Sequence, residues 1–172
     1  MDTVPATQPK ARLRPLNIIV REAESEDAAI MADLTRAAWA HIVAPSSSGH
    51  REAPERVLRH LQDGGGFILF VDEQPVGSVR WLPVEGDSDV WEIARMGVLA
   101  EHRGASLSLH LLEAVIHRAL AADVEELRVA VRTGQSRLVD LYAAYGFEVA
   151  PELEYGNANP AGPAPVVMRR LL

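Results

Sequence analysis

Val98-Leu99-Ala100-Glu101-His102-Arg103-Gly104-Ala105-Ser106-Leu107-Ser108 joins the end of an apolar, β-branched run to the best-patterned helix of the chain. From Ser106 to Ala122, Leu107, Leu111, Leu112, Val115, Ala119 and Leu120 fall on one stripe, with His110, Glu113, His117 and Arg118 largely off it, the pattern of a helix with one buried face. A strand, a turn of small polar residues and then a helix leave several backbone N–H groups unpaired at the positive end of that helix, which suits a diphosphate. Arg103 adds a permanent charge and further donors. The plainer alternative is a helix capped by Ser106 with Arg103 in solvent. The turn has neither the lysine of a Walker loop nor a Gly-x-Gly-x-x-Gly, so a nucleoside triphosphate or a dinucleotide is disfavoured.

Working outward from this turn, Val90 to Val98 reads as a strand, preceded by the turn Glu85 to Asp89. Phe67–Val71 and Pro75–Leu82, around the acidic turn Asp72-Glu73-Gln74, predict an antiparallel hairpin, giving a meander of consecutive strands. Upstream lie a strand at Asn17–Arg21, a helix from Ser25 to about His41, a Pro/Ser/Gly loop to His50, and a second helix near Ala53–Gln62 ended by three glycines. Downstream lie a short strand at Leu127–Val131, a helix from about Gln135 to Tyr145, a strand beginning at Phe147, a Pro/Gly/Asn/Ala loop over Gly156–Pro165, and a last strand at Val166–Arg170. A meander followed by helical crossovers predicts an α/β (α+β) domain with a mixed, mostly antiparallel sheet of about seven strands flanked by about four helices.

Composition narrows the chemistry. With 172 residues, 48% of them hydrophobic, the chain suits one cored domain, read here as residues 16–172 behind a flexible leader at 1–15. The net charge of -7, without a basic block, argues against a nucleic-acid partner and mildly favours a cationic small molecule. No stretch is long and apolar enough for a membrane span or a secretory signal, so a cytoplasmic protein without a membrane partner is expected. The absence of cysteine excludes disulfides, thiolate metal sites and a cysteinyl intermediate.

The quoted turn resembles the acetyl-CoA pyrophosphate loop of GNAT acyltransferases, whose pattern is Arg or Gln, two residues, Gly, one residue, then Gly or Ala. Arg103 matches, Gly104 is the glycine that commonly follows, and Ser106 and Ser108 replace the small residues. Gln135-Ser136-Arg137-Leu138-Val139-Asp140-Leu141-Tyr142-Ala143-Ala144-Tyr145-Gly146-Phe147 resembles the family's Asn-led helix ending in Leu-Tyr, three residues, Gly-Phe, with Gln135 for the usual Asn. Val166–Arg169 resembles its terminal strand, so the likeness spans nearly all of Asn17–Leu172. It implies an N-acetyltransferase working by direct attack in a ternary complex with acetyl-CoA and a primary amine, without a metal, in a domain type that often forms homodimers. It also implies that Met96, Val98, Arg103, Gly104, Ala105, Ser106, Leu107, Ser108, Gln135 and Tyr142 contact the donor. The backbone near Val98 would serve the thioester carbonyl, and Met96 and Val98 would pair with the pantetheine arm. Tyr142 would protonate the departing thiolate, as a phenol that is neutral near pH 7 can. Glu92, six residues before Val98 on the same strand, stands where some members place a catalytic base; its alternative is a solvent-facing strand position.

Trp39, His41, His50, Trp81, Glu152 and Tyr155 are the polar and aromatic candidates for an acceptor pocket between the first helix pair and the last loop. His110, Glu113 and His117 share a helix face but are read as exposed rather than as metal ligands, and Asp87 and Asp89 as a solvated turn. A second class of function remains open, a catalytically silent acyl-CoA-binding module.

Overall fold

A computed structural model describes residues 14–40, 45–104 and 106–172. The chain order is β1 (Ile18–Glu22), α1 (Ala28–Trp39), α2 (Pro54–Asp63), β2 (Gly65–Val71), β3 (Gln74–Val84), β4 (Asp87–Val98), α3 (Leu107–Ala121), β5 (Glu126–Val131), α4 (Arg137–Ala143), β6 (Glu148–Val149) and β7 (Val166–Leu171). The strands form one sheet in the order β1-β2-β3-β4-β5-β7-β6, antiparallel everywhere except between β4 and β5. The leader expected at 1–15 lies almost wholly outside the described residues.

β2 shows why the sheet is covered on both faces. Phe67, Leu69 and Val71 join the core under α3, while the intervening Ile68 joins Met31, Ala32 and Val57 under α1 and α2. Period-2 alternation with both sets apolar is the signature of a two-sided strand. α3 buries the stripe expected of it, Leu107, Leu111, Leu112, Val115 and Ala119, except that Leu120 is exposed. Asp72 and Glu73 take φ of 47° and 69°, so a tight two-residue turn with both central residues left-handed closes the β2–β3 hairpin.

Three local details differ from expectation. Ser25 opens a short 3-10 turn and does not cap α1. Asp27 marks that boundary, accepting the Glu24 N–H at 2.7 Å and both terminal nitrogens of Arg21 at 2.9 Å. The three glycines after α2 do more than end it, since β2 begins at Gly65. A Cβ on Gly64 would lie 1.9 Å from the Trp81 carbonyl oxygen, and one on Gly65 2.2 Å from the Trp81 ring. Trp81, expected as a pocket wall, is 2% exposed and stacked on Trp91 at 5.3 Å, with Phe67 tilted against it at 5.2 Å; it belongs to the core.

Candidate active site

The site grows from a defect in the sheet. β4 and β5 pair in parallel at Val90–Glu126, Trp91–Leu127 and Glu92–Arg128, and no pairing between them continues beyond that. On its other side β4 slips register against β3 between Ser78 and Arg80, where Arg95 takes φ of 56°. A bulge bends a strand and sharpens its twist, so the second half of β4 swings away from β5. The edge of β4 from Ile93 onward is thereby stripped of its strand partner, at the carboxyl ends of two parallel strands, where open α/β sheets bind ligands.

Two cavities lie along this gap. One, of about 480 Å³, is bordered by the end of β4, the turn into α3 and the face of α4 that carries Leu138, Leu141 and Tyr142. Met96, Val98, Arg103, Gly104, Ser106, Leu107, Ser108, Gln135 and Tyr142 all line it, and Ala105 lies outside the described residues. The other, of about 380 Å³, lies between the middle of β4, the end of β5 and the β6–β7 loop. Trp39, Met96, Arg132, Gln135, Leu138 and Tyr142 line both cavities, so the two are continuous across this group.

At the turn, Gly104 and Ser106 have φ of 90° and 55°. Ser106 occupies the N-cap position of α3, but its side chain makes no capping hydrogen bond. The first N–H groups of the 15-residue helix therefore face the cavity without a side-chain acceptor, a ready anion site. Arg103 is exposed, yet its guanidinium is anchored to the protein. Its Nε donates to the Val98 carbonyl at 3.1 Å and its Nη2 to the Ala38 carbonyl, tying the end of β4 to the last turn of α1 and leaving Nη1 to the cavity.

Tyr142 is 6% exposed, tilted against Phe147 at 5.8 Å, and its hydroxyl has no hydrogen-bond partner among the described residues. Burial pushes its pKa up to about 12, partly opposed by the charge of Arg132. Tyr145, on the same helix, is different: its hydroxyl donates to Glu113 at 3.1 Å on the outer face.

Glu92 is 5% exposed and is absent from the wall of either cavity. Its two oxygens accept from the Gly156 N–H at 2.8 Å and the Asn157 side-chain amide at 2.7 Å. The neighbouring Tyr155 hydroxyl donates to the Ile93 carbonyl; burial, then the Glu92 charge, raises its pKa strongly. Glu92 thus holds the β6–β7 loop over the smaller cavity, and the same loop is tied at Asn159 to the Ser46 hydroxyl at 3.1 Å.

Of the expected acceptor residues, Trp39 and Tyr155 line the smaller cavity, whereas Glu152 pairs with Arg169 at 3.2 Å on the surface. His50 does not line either cavity, and His41 lies outside the described residues. Trp39 is wedged between Gly49 and Gly97, where a Cβ would stand 2.3 and 3.1 Å from its ring, with Arg132 and Arg95 over it at 4.1 and 5.0 Å. Arg95, Arg132 and Arg137 were not singled out from sequence. The signal existed for Arg132, which is the first residue after β5, at the end of a strand that opens a strand-to-helix turn.

A sheet split between its parallel pair, with a helix start on one side of the gap and a buried phenol on the other, defines an acyl-CoA acyltransferase type of fold. The chain belongs to the acetyltransferase (GNAT) family, whose model matches residues 32–147. Among solved structures it resembles the PaiA N-acetyltransferase of Thermoplasma acidophilum in complex with coenzyme A (18% identity, TM-score 0.72, covering 91% of this chain and 99% of the other). It is similarly close to a GNAT-family acetyltransferase of Streptococcus pneumoniae (20%, 0.69, 91% and 100%) and to the ribosomal-protein-alanine N-acetyltransferase of Brucella melitensis (18%, 0.70, 90% and 99%). No curated protein matches the sequence.

Proposed function

We propose that the protein transfers an acetyl group from acetyl-CoA to a primary amine by direct attack within a ternary complex. The observation that carries this reading is the meeting of the two cavities at Tyr142, where β4 and β5 part. The larger cavity takes the donor. Its uncapped helix start and the guanidiniums of Arg103 and Arg137 match a diphosphate in charge and donors, and the partnerless edge of β4 can pair with an extended amide arm as a sheet edge pairs with a peptide. The PaiA enzyme, a neighbour in fold, was solved with coenzyme A.

The smaller cavity takes the amine. The amine nitrogen bonds to the thioester carbonyl carbon, the carbon–sulfur bond breaks, and the Tyr142 hydroxyl gives its proton to the departing sulfur while the amine loses a proton to water, from which the phenolate is then reprotonated. A backbone N–H on the open edge of β4 polarises the carbonyl. Glu92 acts as a positioning residue, through Gly156 and Asn157, because its carboxylate is spent on that loop. The absence of cysteine removes an acyl-enzyme held as a thioester and supports direct transfer with both substrates bound together.

Initial velocities with varied acetyl-CoA and varied amine test the order of events. Intersecting double-reciprocal lines are expected; parallel lines would overturn direct attack. The engagement of both Glu92 oxygens also favours a second reading, an acyl-CoA-binding module without turnover, which predicts coenzyme A binding and no product with any amine.

A further inference from the structure

The smaller cavity has a charge opposite to that of the chain. Although the protein carries a net charge of -7, no carboxylate lines this cavity among the described residues, while Arg95 and Arg132 both do. The two arginines are unlike in one respect. Arg95 is committed: its Nε lies 3.2 Å from Glu52, its Nη2 donates to the Ser48 hydroxyl, and its ion pair belongs to a buried cluster with Arg80. The Arg132 side chain has no hydrogen bond and no ion pair among the described residues. It is held only by lying over the Trp39 ring at 4.1 Å, and the groups acting on it electrically are two neutral phenols, Tyr155 and Tyr142. Burial lowers its pKa somewhat, yet a guanidinium stays charged near pH 7.

A half-buried, stacked guanidinium whose five donors meet no acceptor among the described residues is a fork set for a planar anion. A ligand that brought a carboxylate to it would replace a desolvated, unpaired charge with a bidentate pair, and a ligand bringing a second cation would be repelled in the same place. The size agrees with a small molecule: about 380 Å³, roofed by a loop tied down at Tyr155, Asn157 and Asn159.

We infer that the acceptor is a small primary amine that also carries a carboxylate, of amino-acid size, and that Arg132 selects it by binding that carboxylate. This rests on the transferase reading for the identity of the amine as nucleophile. Arg132 also borders the donor cavity, and there the carboxylate end is held beside the gap while the amine reaches toward Tyr142.

The test separates the two claims. Coenzyme A is first titrated calorimetrically into the protein; absence of binding would sink the donor reading alone. Leucine, methionine, phenylalanine and glutamate are then titrated into the protein, with and without coenzyme A, each beside its α-carboxamide and its decarboxylated amine. At least one amino acid is expected to bind tenfold or more tightly than both of its neutral-ended analogues, and Arg132→Gln is expected to bring that ratio to within about threefold of one. The ratio is internal to each variant, so a change in donor affinity does not affect it. The inference is overturned if every amino acid binds no better than its carboxamide or fails to bind, or if the preference survives in Arg132→Gln.

Discussion

Tyr142 and Tyr145 differ by three positions on one helix, and the fold gives them different fates. Tyr145 reaches outward to Glu113, whereas Tyr142 is enclosed where the two cavities join, its hydroxyl without a hydrogen-bond partner among the described residues. With a pKa near 12, Tyr142 remains a proton donor throughout the working range of pH. Tyr142→Phe is therefore expected to reduce kcat by about 10²-fold or more with little change in acetyl-CoA affinity, measured by steady-state kinetics beside calorimetry. Tyr145→Phe should change kcat less than about threefold, since it loses one exposed hydrogen bond. In the sequence only the spacing to Gly146-Phe147 sets these two apart; both otherwise sit on one helical stripe. Glu92 was legible only as a position: the sequence puts a carboxylate on the right strand, but only the fold reveals that Gly156 and Asn157, far away in the chain, consume both its oxygens. Glu92→Gln keeps one acceptor and should raise KM for the amine more than it lowers kcat, whereas a direct base would show the reverse split.

Among the elements, the connection into α2 carries the most concentrated energetics. Glu52, just before it, is fully buried with Arg80 at 2.7 Å and Arg95 at 3.2 Å, and its Oε1 has no hydrogen bond, only Arg56 at 3.9 Å. Burial alone would raise the Glu52 pKa; the hydrogen bond and charge of Arg80 more than offset this and hold it low. Glu52→Ala leaves two buried guanidiniums uncompensated and is expected to cost about 3–5 kcal/mol in denaturant unfolding. His60 adds pH dependence. Its Nδ1 accepts from Arg80 at 3.0 Å, so the folded ring is neutral, and burial, then the charges of Arg80 and Arg56, push its pKa down to about 4. The unfolded chain protonates His60 near its ordinary 6.5, so it takes up the proton first as pH falls. Stability should thus decline between about pH 6.5 and 4 by on the order of 1–2 kcal/mol, discounted for the partial exposure of the ring, and His60→Gln should flatten that decline. None of this network could be read from the sequence, because it joins residues from α1, α2, β3 and β4 whose meeting depends on the packing of the whole layer. By contrast, every helix and strand was legible in kind. Alternating apolar runs and the 3.6-residue stripe are local signals, and the errors fell at boundaries where one contact decides, such as Asp27 replacing Ser25.

At the scale of the whole molecule, the β2–β3–β4 meander follows from the sequence pattern, but the strand order beyond it and the split between β4 and β5 do not. Val90 to Val98 reads as one continuous strand, and nothing in its composition marks Arg95 as the bulge that turns its second half away from β5. Both cavities lie along that split, and their walls differ in how far they could be read from the sequence. The larger cavity is lined mainly by two sequence-local segments, the end of β4 with the turn into α3 and the start of α4, whereas the smaller one is assembled from α1, β4, β5 and the β6–β7 loop. Net charge does not describe this wall, since no carboxylate lines the smaller cavity among the described residues. The most direct test of the account is a calorimetric titration of acetyl-CoA into the wild-type protein and Arg103→Ala, alongside a donor analogue lacking the diphosphate. Saturable one-site binding is predicted, weakened about tenfold or more by either change. Absence of saturable binding to the wild type, or affinity that ignores both the diphosphate and Arg103, would contradict the assignment of the larger cavity to the donor.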